Sequence, residues 1–132
     1  MREKLNQVIK NAYSPYYNFK VGCIVVTKDG KEFIGVNVEN ANGTSICAER
    51  NAIATAVAHG YKKGDFDRLY IGFENGKEGA PCFACRQVIL EFFDLDSKII
   101  SVKGNGEEVT YTVKDLCPYS FDSEDLKWKV DL

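Results

Sequence analysis

Two segments far apart in the chain, Cys47-Ala48-Glu49-Arg50 and Pro81-Cys82-Phe83-Ala84-Cys85-Arg86-Gln87, restrict its fold more than any other feature. Between them they carry three thiols and one carboxylate. Three thiolates hold a zinc ion and leave its fourth position open for water. A glutamate beside that water is a general acid and base. A chain that uses all four groups together must bring the two segments to one point. Cys82 and Cys85 are three residues apart, which on a helix puts both thiols on one face, one turn apart. Pro81 marks the start of that helix, and Cys47 opens another. Helix N-termini favour the thiolate through the dipole and the free N–H groups. Three thiolates on zinc leave a net charge of −1, a poor Lewis acid. Two helix N-termini, and Arg50 donating to a ligand sulfur, offset part of that charge.

Each piece also has a plainer reading. A lone C-x-x-C is a redox pair or half of a closed structural zinc site. A closed site needs a fourth ligand, which Cys23 or Cys117 supplies by count. Yet Cys23 lies in an apolar run, where a thiol is a small core residue, and Cys117 stands beside Pro118. His59, the sole histidine, falls at a helix end and reads as an exposed or capping side chain. Glu49 in a helix's first turn favours the dipole in any case. Positions i and i+2 point to different sides of a helix, so Glu49 meets Cys47 only where Cys47 is a cap and Glu49 reaches back.

The 132 residues suit one domain over 1–132, long enough to bury a core without disulfides. Seventeen basic and 19 acidic residues give a net charge of −2. That balance argues against a protein that grips nucleic acid, which needs a basic patch, and leaves room for a small uncharged ligand. The N-terminal dozen residues lack a signal-like apolar run, and no stretch reaches the ~20 apolar residues of a membrane span. Five cysteines, an odd count, speak against a disulfide framework and for a reducing cytoplasm.

Hydrophobic periodicity predicts α-β-β-α-β-α-β-β around one mixed sheet. Leu5, Val8, Ile9 and Ala12 form a helix face that ends at Ser14-Pro15. Val21–Val26 is a buried strand, Lys28-Asp29-Gly30 a hairpin turn and Glu32–Val38 the return strand. A helix from about Cys47 to Ala58 buries Ile53, Ala56 and Val57. Arg68–Phe73 is a strand, and the helix after Pro81 buries Val88, Ile89, Phe92 and Phe93. Lys98–Val102 and Glu108–Val113 are strands joined by Gly104-Asn105-Gly106. Leu116–Leu132 is irregular or briefly helical.

Taken together, Phe19-Lys20-Val21-Gly22, Gly35-Val36-Asn37-Val38-Glu39-Asn40-Ala41, the two cysteine segments and Pro118-x-x-Phe121-x-x-Glu124-Asp125-Leu126 resemble, in this order, the small homotetrameric zinc-dependent cytidine deaminases over nearly the whole chain. The resemblance implies a three-layer α/β/α fold with a mixed five-stranded sheet, and hydrolytic deamination of cytidine or deoxycytidine in pyrimidine salvage. It implies that Cys47, Cys82 and Cys85 hold Zn2+ and that Glu49 shuttles protons. Asn37 and Glu39 would hydrogen-bond the ribose, their i, i+2 spacing on a strand aiming both to one side. Phe19 would wall the pyrimidine and Ala48 would join the substrate contacts. Arg50 and Pro81 would support the ligands. Ala41 and Phe121 would sit at or in a neighbouring subunit's pocket. Two departures stand out: Phe83 replaces the family's usual glycine, and the loop from Glu39 to Cys47 is one residue shorter and lacks its usual tyrosine. A ring beside the metal would narrow the pocket or shift the base. These departures keep a related substrate, blasticidin S or a modified cytosine nucleoside, as the alternative, ahead of a non-catalytic zinc module. Blasticidin-type enzymes usually lack the counterparts of Glu39 and Arg50, so the chain looks closer to the cytidine enzymes.

Overall fold

The computed structural model describes residues 1–129. The order is α1 (Arg2–Ile9), β1 (Val21–Thr27), β2 (Glu32–Val36), α2 (Ala48–Ala58), β3 (Phe66–Phe73), α3 (Phe83–Phe92), β4 (Phe93–Val102), β5 (Glu108–Thr112), α4 (Val113–Leu116) and a 3-10 helix (Ser123–Lys129). The expected tail therefore contains one short helical stretch, and residues 130–132 lie outside the described residues.

The five strands form one sheet in the order β2-β1-β3-β4-β5. The β3–β4 pair is parallel and the others are antiparallel. β1 lies between β2 and β3 and is buried along its whole length, which is why its apolar run is continuous rather than alternating. Val21, Cys23 and Val25 point to the face covered by α2, α3 and α4. Ile24 and Val26 point to the other face, where Leu5, Val8 and Ile9 of α1 cover them. This gives the expected three layers.

Helix α2 lies almost on the backbone of β2. Ala48, Ala52 and Ala56 are fully buried along one side of it, and a Cβ on Gly35 would come within 2.3 Å of the Ala52 nitrogen and 2.4 Å of the Ala48 oxygen. Only a glycine fits there, and the contact fixes the height of the α2 N-terminus over the sheet. Gly35→Ala is therefore expected to cost at least about 1–3 kcal/mol, the usual range for overpacking. Urea unfolding of variant and parent checks it; an unchanged midpoint would remove Gly35 as the spacer.

Several boundaries differ from the sequence expectation. α1 stops at Ile9, and Ala12 is buried just beyond it. β2 ends at Val36, because Val38 leaves β1 to bridge Tyr13 on one side and Ile46 on the other. Val57 is 40% exposed rather than buried, because the small residues Ala52 and Ala56 make the sheet contact instead. Phe93 belongs to β4, which starts without a loop after α3. Val113 opens α4, where Thr112 and Asp115 form a reciprocal capping box.

Candidate metal centre and substrate pocket

Two helices begin at the same place. Cys47 is the N-cap of α2 and Cys82 the N-cap of α3, both with extended backbone (φ/ψ −79/157 and −64/164). Cys85 sits one turn inside α3 and is fully buried. The sulfurs of Cys47, Cys82 and Cys85 all lie within 4.8 Å of one another, with Cys47 Sγ 3.6 Å from Cys82 Sγ. Tetrahedral zinc with Zn–S bonds of about 2.3 Å spaces its sulfurs roughly 3.8 Å apart, so the trio fits that ion. The electrostatics fit as well. Burial pushes the Cys85 thiol far above its ordinary value, and the Glu49 and Cys47 charges push it further. Three acidic groups crowd together, and a cation is what lets them ionise together. Burial also raises Cys82, but the Cys85 N–H and the Cys85 and Cys47 thiols outweigh it and hold Cys82 below the usual thiol range.

Arg50 Nη2 donates to Cys47 Sγ at 3.3 Å. That contact, stronger than the opposing effect of burial, holds the guanidinium protonated even more firmly than usual. Pro81 is buried, and its carbonyl accepts from Arg86 Nε at 2.8 Å. This ties the residue before Cys82 to the body of α3.

Among the described residues no fourth His, Cys, Asp or Glu joins the trio. Cys23 is fully buried in β1, and Cys117 donates its thiol to the Arg86 carbonyl at 3.6 Å. His59 caps the end of α2 with Nδ1 2.8 Å from the Thr55 carbonyl oxygen and packs its ring, tilted by 45°, against Phe33. Among the described residues, then, none supplies the extra protein ligand that a closed structural centre needs.

A pocket of about 340 Å³ opens at the trio, and Cys47, Ala48, Glu49 and Cys82 line it together with Phe19, Asn37 and Glu39. Glu49 occupies the first turn of α2 and is 3% exposed. Because Cys47 is a cap rather than a helical residue, the i, i+2 pair does converge. Burial raises the Glu49 carboxyl above the usual range, against the pull of its own backbone N–H, the Cys85 thiol and the Arg50 charge.

Glu39 is buried and richly held. Its Oε2 accepts from Ser14 Oγ at 2.6 Å, and its Oε1 accepts the backbone N–H groups of Tyr16 and Tyr17 at 2.9 and 3.1 Å. Desolvation works against the charge, but these three donors outweigh it and keep the carboxyl below the usual range. Asn37, just past the end of β2, accepts from Val21 N–H at 2.8 Å and donates to the Phe19 carbonyl at 2.7 Å. One amide hydrogen and one lone pair remain for a ligand. The Phe19 ring leans on Phe73 with centroids 5.5 Å apart.

Ala41 and Phe121 do not line this pocket. Ala41 is exposed in the 40–44 turn, which Asn40 and Asn42 close by accepting the Thr44 N–H. The ring of Phe121 is exposed, while its carbonyl is held by Gln87 Nε2 at 2.7 Å.

Phe83 requires a correction. Its ring is 78% exposed and lies outside the metal pocket, under the Arg86 guanidinium at 4.3 Å from ring centroid to Cζ. As the first helical residue after the Cys82 cap it turns outward, so it does not narrow the pocket. Sequence reading missed Tyr17 and Phe73 as pocket walls and Ser14 as the clamp on Glu39. Ser14-Pro15 carries a helix-stop signal that hides the hydroxyl's second use, and Phe73 reads as an ordinary strand residue.

The profile described as the cytidine and deoxycytidylate deaminase zinc-binding region matches residues 1–103. The cytidine deaminase of Mycoplasma genitalium is 34% identical over 120 residues, covering 90% of this chain and 91% of that one. The cytidine deaminase of Halalkalibacterium halodurans is 36% identical over 121 residues, covering 91% and 90%. The crystal structure of cytidine deaminase from Burkholderia pseudomallei superimposes with a TM-score of 0.83 at 39% identity, covering 90% of this chain and 94% of that one. An open trio of thiols beside a buried carboxylate, on a sheet that matches that structure, leaves one conclusion: this chain belongs to the zinc-binding cytidine and deoxycytidylate deaminase family.

Proposed function

We propose that this chain converts cytidine and deoxycytidine, with water, to uridine or deoxyuridine and ammonia, and that Glu49 carries the protons. The observation that supports this most is the placement of the buried Glu49 carboxyl in the same pocket as Cys47 and Cys82. Zinc, held by Cys47, Cys82 and Cys85, supplies Lewis-acid activation of water when bound. Glu49 accepts a proton from the attacking water and passes it to N3 of the pyrimidine as the water oxygen joins C4. It next takes the proton of the new C4 hydroxyl and delivers it to the exocyclic amino group; the C4–N bond breaks, C4=O forms and ammonia leaves. A carboxyl raised by burial gives up and regains a proton near neutrality more readily than an ordinary one. Phe19 packs its ring against the pyrimidine. Asn37 and Glu39 take the sugar hydroxyls, Glu39 as an acceptor and Asn37 through its remaining hydrogen and lone pair. Ala48 bounds the base next to the metal. Arg50 tempers the charge on Cys47, and Pro81 sets the entry to the Cys82 cap.

The same reading places the chain in one domain over 1–132, working in the cytoplasm in pyrimidine salvage as a homotetramer. Ala41 and Phe121 would then face a neighbouring subunit. The exposure of Tyr119 and Phe121 supports such an assembly, and light scattering reads the stoichiometry. Among the described residues no helix is long and apolar enough to cross a membrane.

Ammonia release from cytidine, deoxycytidine, free cytosine and blasticidin S, measured on zinc-loaded protein, tests the substrate. Cytidine and deoxycytidine are expected to exceed the other two by at least about 10²-fold in kcat/KM, since the buried Glu39 and its neighbour Asn37 lose their partners without a furanose hydroxyl. Preference for blasticidin S would reject this reading. The outward turn of Phe83 removes one motive for that alternative.

A further inference from the structure

The segment before β1 is fastened to the segment after β2 by a compact set of bonds. Tyr13 N–H donates to the Asn37 carbonyl at 3.0 Å, and Glu39 N–H donates to the Tyr13 carbonyl at 2.9 Å. The chain then turns back through Asn18, whose φ is 51° and whose N–H reaches the Ser14 carbonyl at 3.0 Å. Within that turn the Ser14 hydroxyl makes two bonds at once. It donates to Glu39 Oε2 at 2.6 Å and accepts the Phe19 N–H at 2.9 Å. Ser14 is itself buried at 7% exposure. Its oxygen is the one side-chain atom that joins the Glu39 carboxylate directly to the backbone of Phe19.

We propose that Ser14 is a positioning residue for sugar recognition: its hydroxyl sets the orientation of the Glu39 carboxylate and couples it to the Phe19 wall of the same pocket. The proposal rests on the reading of Glu39 as the acceptor for a sugar hydroxyl. The Oε1 atom is already engaged by the Tyr16 and Tyr17 N–H groups. Rotation of the carboxylate is therefore limited at one oxygen by the backbone and at the other by Ser14 alone. A carboxylate has about four acceptor sites; with three filled, the direction of the last depends on how Oε2 is pinned. Without the Ser14 hydroxyl, Oε2 loses its donor and the Phe19 N–H loses its acceptor. Glu39 stays buried but no longer points in one direction, and an interaction that is only loosely aimed contributes less to binding.

The readout is the ratio of kcat/KM for cytidine to kcat/KM for 2′,3′-dideoxycytidine, which lacks both ring hydroxyls. A merely structural role would lower both values together and leave the ratio unchanged. Ser14→Ala is expected to shrink the ratio at least about tenfold, mainly through a higher KM for cytidine, with kcat for dideoxycytidine and zinc content retained. Ser14→Thr, which keeps the hydroxyl, is expected to restore most of the ratio. Glu39→Gln serves as the reference arm and is expected to shrink the ratio at least as much as Ser14→Ala. A collapsed ratio in Glu39→Gln with a parental ratio in Ser14→Ala overturns the role of Ser14 and leaves that of Glu39 standing. An unchanged ratio in Glu39→Gln overturns both. Failure of the parent to release ammonia from cytidine overturns the proposed function itself.

Discussion

Glu49→Gln is expected to lower kcat for cytidine by roughly 10²–10⁴-fold, the usual contribution of a positioned acid–base group, while zinc stays at one equivalent. Glutamine suits this test because the site is closed: Glu49 is almost wholly buried beneath the trio, and truncation to alanine would leave a void beside Cys85. The amide keeps the volume and an oxygen acceptor for the Glu49 backbone N–H that now steadies the carboxyl. It loses the ability to take a proton from water and return it to the base. The thiols grouped for a metal are those of Cys47, Cys82 and Cys85, so the substitution leaves that donor set intact. Absorbance loss on conversion of cytidine to uridine measures turnover, and atomic absorption on the same sample measures zinc. A kcat within about threefold of the parent would assign the proton transfers elsewhere. Loss of zinc would make Glu49 part of the metal's support instead.

The parts of the fold that were legible were those carried by residue type and period. The continuous run Val21–Val26 announced a fully buried strand, and the structure places it inside the sheet, between β2 and β3. The thiol spacing announced a metal centre because few residue sets other than a ligand trio explain Cys47, Cys82 and Cys85 together. Directions set by local backbone geometry were less legible. Whether Glu49 could meet Cys47 depended on Cys47 being extended at a helix cap, a matter of one ψ angle. Phe83 looked like an intrusion on the metal because it lies between two ligands in sequence, yet the first helical position after the cap points it outward against Arg86. Val57 was expected in the core because it is apolar, whereas the closeness of α2 to Gly35 gives the contact face to small alanines. The Ser14 clamp was hidden for a further reason. Its partner Glu39 lies across a turn and a hairpin, and no local period links position 14 to position 39.

Cys82→Ala and Cys85→Ala together separate what zinc contributes from what the sulfur atoms contribute to packing. Both are expected to abolish stoichiometric zinc, because two thiolates from this trio leave too few ligands for a stable centre. A metal bound to the folded state alone stabilises by about 4 kcal/mol when its free concentration is a thousand times its Kd. For a chain of this size that corresponds to a loss in Tm on the order of 10 °C. Cys82 is exposed at its cap and Cys85 is fully buried within α3. Removing the Cys82 sulfur costs little besides the metal, so this variant should melt close to the chelator-stripped parent. Removing the Cys85 sulfur also leaves a gap beneath the α3 N-terminus, so this variant should melt lower still. Differential scanning calorimetry of parent, stripped parent and both variants, with zinc content measured on each, gives the full comparison. Retention of one zinc per chain by Cys82→Ala would show that the 3.6 Å approach of Cys47 and Cys82 is not a metal-binding geometry. The pocket would then need another explanation for keeping three acidic groups so close together.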